Sequence, residues 1–135
     1  MKIENLCICY ANDYHLAIIL GEYLKKNSEI KNSVKTFFEE SIKKEIDTLI
    51  ENYKMEQLSN INFEKTIINN NIITKEINNN DVIIIKGNID YINKTKDILN
   101  KMISKKEGNI KVITCVNFEY INQKVLYDGS RIFTK

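Results

Sequence analysis

Nine polar residues and one glycine of this chain lie where its predicted strands end. Carboxylate, imidazole, hydroxyl and amide groups at such positions can bind a ligand, or catalyse acid–base chemistry, once a fold brings them together. In an open α/β sheet, ligands bind outside the carboxyl ends of the parallel strands. The candidate ligand-binding residues are therefore Asn12, Asp13, His15, Glu39, Glu40, Ser41, Gly87, Asn88, Asp90 and Asn117.

An enzymatic alternative rests on four of these residues. Asp13, His15 and the Glu39-Glu40 pair could support acid–base or Mg²⁺-assisted chemistry. The chain has a single histidine, and it contains no glycine-rich loop and no nucleophile motif. We therefore expect a non-catalytic binding or regulatory module that recognises a small ligand or a protein partner, with the small enzyme as the alternative.

The stretch "KGNID" at 86–90 contains one glycine between an apolar run and a helical pattern. A phosphate-binding loop needs further glycines and a Lys followed by Ser or Thr at the helix start, and neither is present. The pattern instead predicts that Gly87 forms the turn after the strand and that Asp90 caps the following helix.

The three cysteines, Cys7, Cys9 and Cys115, form a Cys₃His set with His15 that could in principle bind zinc. The chain lacks the CxxC spacing of such sites. Thiols within apolar strands are usually buried small hydrophobic groups. The sequence therefore predicts no metal and no cofactor.

Hydrophobic periodicity locates the first half of the secondary structure. Residues 3–10 form a short apolar run of strand length, and a helical pattern begins at Tyr14. Residues 42–53 are amphipathic and predict a second helix. Residues 33–40 fit either a strand or a backward extension of that helix. We favour the strand, because it keeps strands and helices alternating.

The second half continues this alternation. The run "FEKTII" fits an edge strand, and "IITKEI" fits either a strand or one helical turn. The run "DVIIIK" is apolar on both faces, which is typical of a central parallel strand. A helix from Asp90 to about Lys106 follows, and then a strand at 110–118.

The segment at 124–135, "KVLYDGSRIFTK", has two apolar arms around Asp128-Gly129 and predicts a β-hairpin. Its apolar residues exceed what one face of a hairpin buries, which favours a homodimer formed through this hairpin. The predicted fold is a single three-layer α/β domain over residues 1–135, with a mostly parallel sheet and a C-terminal antiparallel hairpin. A structural or assembly subunit is therefore a further alternative.

Composition excludes several classes of protein. The chain has 135 residues, 43% of them hydrophobic, and a net charge of +2. This charge disfavours a nucleic-acid binder, although the lysines of the 90–106 helix keep that alternative open. No apolar stretch reaches membrane-spanning length, and the N-terminus lacks a signal-peptide pattern, so we expect a cytoplasmic protein.

Overall fold

The computed structural model describes residues 2–27, 29, 33–68, 76–103, 108–118 and 131–133. Strands and helices alternate along most of this length. In chain order the elements are β1 (Lys2–Tyr10), α1 (Asp13–Lys26), β2 (Val34–Phe38), α2 (Lys43–Tyr53), a 3₁₀ helix (Glu56–Leu58), β3 (Val82–Lys86), α3 (Ile89–Ile103), β4 (Asn109–Asn117) and β5 (Arg131–Phe133).

The described strands form one sheet in the order β2-β3-β4-β1-β5, and every pair is parallel. Ile113 of β4 lies between Leu6 of β1 and Ile84 of β3 in register. All five residues of β3 are buried, as expected for an interior parallel strand covered on both faces. The prediction of a mixed α/β fold with a parallel sheet is confirmed.

Two apolar clusters cover the two faces of the sheet. Leu6 and Ile8 of β1 pack in a cluster with residues of α1 and α2. Cys7 and Cys9 point to the opposite face, into a cluster with residues of α3. This alternation follows from the two-residue period of a strand, and it places helices in the layers on both sides of the sheet.

The sequence left residues 33–40 open, and the structure shows a strand at Val34–Phe38. The predicted edge strand "FEKTII" is instead an irregular segment with one parallel bridge, between Lys65 and Phe38. The Thr66 N–H donates to the Phe38 carbonyl at 2.8 Å beside this bridge. Residues 69–75, which include most of "IITKEI", lie outside the described residues.

The predicted antiparallel hairpin is not supported. Residues 131–133, in its second arm, pair parallel with Leu6–Ile8 of β1, and all described strands are parallel. Residues 124–127, which form its first arm, lie outside the described residues.

In the described part of the chain, no helix has both the length and the apolar character needed to cross a membrane.

Candidate functional site

The carboxyl ends of β1, β2, β3 and β4 meet at one edge of the sheet, here called the carboxyl edge, because the strands are parallel. The ten predicted site residues are in or follow these ends. However, β3 and β4 lie between β2 and β1, so the ends of β2 and β1 are about 14 Å apart. The structure therefore divides the predicted residues into one group near β1 and β4 and another near β2 and β3.

In the first group, the polar side chains organise the start of α1. The Asn12 side chain accepts a hydrogen bond from the His15 N–H at 2.9 Å and caps the helix. The Ala11 N–H donates to His15 Nδ1 at 2.8 Å, which places the proton of the neutral imidazole on Nε2. The Asn117 amide lies 3.5 Å from the Ala11 carbonyl. Three of the predicted ligand-binding residues thus hold this loop in place.

In the second group, Glu39 connects the ends of β2 and β3. Its Oε1 accepts the Asn88 N–H at 2.9 Å, and its own N–H donates to the Lys86 carbonyl at 2.8 Å. The Asn88 side chain accepts the Tyr91 N–H at 2.8 Å. Asn88 therefore caps α3, and the prediction that Asp90 does so is wrong, because the helix begins at Ile89.

The remaining members of the second group differ in their surroundings. The Ser41 hydroxyl donates to the Phe63 carbonyl at 3.0 Å and accepts the Lys43 N–H at 3.0 Å. Ser41 thereby links the start of α2 to the irregular segment that contains Phe63. Glu40 and Asp90 are exposed. These two carboxylates belong to the surface of the carboxyl edge.

Gly87 is required by packing at this turn. A Cβ atom at this position would lie 2.6 Å from Tyr91 Cδ1 and 3.0 Å from Glu39 Cβ. Glycine therefore lets the Tyr91 ring and the Glu39 side chain approach the backbone between β3 and α3. The Tyr91 hydroxyl donates to the Thr66 carbonyl at 2.6 Å, so this packing also anchors the segment that follows the Lys65 bridge.

Lys86, the last residue of β3, is a functional candidate that sequence reasoning missed. Only 8% of its side chain is exposed, and its Nζ lies 3.4 Å from Oδ1 of Asp13, whose side chain is 42% exposed. The same ammonium lies 5.9 Å from the centroid of the Tyr10 ring. A signal was present in the sequence, since Lys86 is two residues after Ile84 and so shares its buried face.

The enzymatic alternative receives little support from this geometry. Asp13 and His15 belong to the β1 end, whereas Glu39 and Glu40 belong to the distant β2 end. The cysteines are also poorly suited to nucleophilic chemistry, because burial raises the pKa of Cys7 to about 12 and raises the pKa of Cys9 and Cys115. Among the described residues, no group of three His, Cys, Asp or Glu side chains is placed to hold a metal ion.

Comparison with known proteins adds no assignment. The chain matches no protein-family model, no curated protein sequence and no solved structure. The side chains of the carboxyl edge therefore carry the functional argument. Chemically, this edge offers a buried ammonium donor on Lys86 and a partly exposed carboxylate acceptor on Asp13, next to one another.

Proposed function

We propose that this protein is a non-catalytic binding module that recognises a small polar ligand at the carboxyl edge of its sheet. The observation that carries the proposal is the burial of the Lys86 ammonium at this edge beside a partly exposed Asp13. Burying a charge is costly unless it is paired and hydrogen-bonded. Lysine is almost never fully buried unless it is paired, and Lys86 lies at the edge where ligands bind in open α/β sheets.

The single carboxylate contact of Lys86 among the described residues does not use all the hydrogen-bonding capacity of its ammonium. An ammonium group has three N–H donors. Its carboxylate neighbour lies at 3.4 Å, which is longer than the 2.7–2.9 Å typical of charge-assisted hydrogen bonds. A ligand atom that accepts a hydrogen bond would therefore improve the bonding of the ammonium, whereas a purely apolar ligand would not.

The surrounding loops support binding without large rearrangement. Asn12 and Asn88 cap α1 and α3, and Glu39 ties the end of β2 to the turn after β3. Affinity improves when a site is organised before the ligand arrives. We infer that a ligand would present an acceptor to Lys86 and a donor to Asp13, so an amide, a hydroxylated compound or a zwitterion fits better than a simple anion.

Native mass spectrometry on gently purified protein tests this proposal. We expect a non-covalent adduct in the wild-type protein that is lost in Lys86→Met. The matched control is Lys44→Met, which removes an exposed lysine of α2 and should leave the adduct in place. If an adduct is present and Lys86→Met retains it in a folded protein, the ligand does not bind at the carboxyl edge.

The backbone amides give a second test of the same proposal. Once the adduct is identified, adding it to ¹⁵N-labelled ligand-free protein should shift amides in residues 11–15 and 86–90. Shifts elsewhere with no change at these residues would contradict the proposal. Finding no adduct and no binding from a metabolite extract would also count against a small-ligand module.

A protein partner is the second candidate, and it is favoured by two exposed aromatic residues. Tyr14 follows Asp13 and is 46% exposed, and Phe118 follows β4 and is 50% exposed. Exposed aromatic side chains beside polar groups are typical of protein interfaces. Homodimerisation stays a prediction, and the mass measured in the same native spectra tests it.

A further inference from the structure

A groove lies at the edge of the sheet opposite the carboxyl edge. This amino-edge groove has a volume of about 260 Å³, and its lining includes Glu4, Asn80, Asp81, Asn109 and Lys111. It lies at the amino ends of the strands. We propose that the amino-edge groove binds a small zwitterion of the free amino acid class. This inference is independent of the function proposed above.

The groove arises from an offset between neighbouring strands. β4 begins at Asn109, whereas its first partner on β3 is Val82, which pairs with Lys111. β1 and β4 therefore extend beyond the start of β3. The space left beside them is bounded by the turn that leads into β3, which contains Asn80 and Asp81.

Hydrogen bonds fix the wall formed by this turn. The Asp81 carboxylate is buried and accepts the Asn78 N–H at 2.7 Å and Lys35 Nζ at 3.2 Å. The Asn80 N–H donates to the Asn109 carbonyl at 2.8 Å. Asn80 adopts the left-handed conformation, with φ of 67°, which asparagine tolerates better than most residues. The wall is thus organised without a ligand.

The opposite wall carries two opposite charges in register. Glu4 of β1 pairs with Lys111 of β4, and residues paired across parallel strands are about 4.8 Å apart. The Lys111 ammonium lies 5.8 Å from the centroid of the Tyr23 ring, which holds it beside α1. The groove therefore offers a cationic donor and an anionic acceptor side by side.

This charge pattern decides the class of ligand. The carboxylate of an amino acid can accept from Lys111, while its ammonium donates to Glu4, whose carboxylate has several acceptor positions. A ligand with only one charge would place that charge near a like charge on the wall. A volume of about 260 Å³ is below the range of drug-sized pockets, which also favours a compact metabolite.

Amide chemical shifts of ¹⁵N-labelled full-length protein test the proposal. Pools of the free L-amino acids at millimolar concentration are added first, and the active amino acid is then compared with its N-acetyl and its amide derivatives. We expect the zwitterion to shift amides of residues 4, 80–82 and 109–111, and each derivative to bind roughly tenfold more weakly or worse, because it lacks one charge. The inference is overturned if no amino acid shifts these amides, or if either derivative binds as well as its parent.

Two variants place the ligand in the groove. Lys111→Met should weaken binding roughly tenfold or more, and Glu4→Gln should also weaken it. The matched control, Lys44→Met, replaces an exposed lysine of α2 and should bind as the wild type does. If Lys111→Met fails to fold, Glu4→Gln carries the test. A folded variant of either kind with wild-type affinity would overturn the proposal.

Discussion

The ammonium of Lys86 lies 3.4 Å from the carboxylate of Asp13, although β4 separates β3, which ends at Lys86, from β1, which precedes Asp13. The lysine side chain therefore reaches past the end of β4 to the first turn of α1. The same ammonium lies 5.9 Å from the centroid of the Tyr10 ring. Lys86 thereby connects β3 to α1 and to β1.

Removing Asp13 should destabilise the protein more than removing Lys86. Asp13→Asn leaves a buried ammonium without its counter-charge, and we expect it to lower the free energy of unfolding by about 1–2 kcal/mol, since Asp13 is partly exposed. Lys86→Met should change it by less than about 1 kcal/mol. Urea unfolding of the two variants and the double variant provides the measurement.

The double variant is the control for this prediction. In the Lys86→Met background no buried charge is left to compensate, so adding Asp13→Asn should cost little. If Asp13→Asn costs as much in this background as in the wild type, its effect comes from the start of α1 and not from the ion pair.

Gly87→Ala should destabilise the protein by about 1–3 kcal/mol, because its methyl group would collide with the Tyr91 ring and with Glu39. Gly21→Ala in α1 is a suitable comparison. Its methyl group would meet the flexible end of Met55, and alanine gains up to about 1 kcal/mol of helix propensity. In thermal unfolding, the melting temperature of Gly87→Ala should therefore be well below that of Gly21→Ala. Equal decreases in melting temperature would contradict this account.

Two of the aspartate–lysine pairs among the described residues, Lys35–Asp81 and Lys43–Asp47, predict very different losses of stability. Asp81 is buried and accepts from both Lys35 and the Asn78 N–H, so Asp81→Ala should cost about 2–3 kcal/mol. The Lys43–Asp47 pair is exposed on α2, so Asp47→Ala should cost less than about 0.5 kcal/mol. Denaturant melts measure both, and similar losses would show that burial of Asp81 does not govern its contribution.

Stability should fall in alkali, and Tyr91 should contribute to the fall. Burial, and then the charge of Glu39, raise the pKa of Tyr91, and burial raises the pKa of Cys7 to about 12. Ordinary thiols and phenols lose protons near pH 8.5 and 10. Above these values the unfolded chain therefore holds fewer protons than the native protein, and the free energy of unfolding decreases as pH rises.

Tyr91→Phe should flatten the part of this decrease that occurs above about pH 10. It should also cost about 1 kcal/mol at neutral pH, since the hydrogen bond to Thr66 is lost. The control is Tyr53→Phe, because Tyr53 is 70% exposed. This substitution should leave the pH dependence of stability unchanged. An unaltered alkaline slope in Tyr91→Phe would rule out this contribution.

The regular elements were predictable because their patterns are local. The apolar run of β3 and the amphipathic stripe of α3 identify an interior strand and its covering helix, and both are present. The turn at Asp128-Gly129 is also a local signal, but the partner of residues 131–133 is decided by the sheet as a whole. These residues pair with β1, far away in the sequence.

The candidate site was predictable in outline only. Parallel strands guarantee that residues at their carboxyl ends share an edge, and the sequence identified nine polar residues and Gly87 there. The strand order, which separates Glu39 from His15, depends on long-range contacts that periodicity does not encode. Lys86 was missed because a lysine at the end of a strand is usually solvent-exposed.

The irregular segment beside β2 has a consequence for the protein at high concentration. A bare outer strand would offer its backbone groups to another chain and seed sheet-to-sheet aggregation. Here the Phe38 carbonyl accepts the Thr66 N–H, and the Thr36 hydroxyl donates to the Asn62 carbonyl. Because the described residues of this segment form one bridge to β2 and are then held by α3 through the hydrogen bond from Tyr91 to Thr66, they cover β2 without extending its ladder.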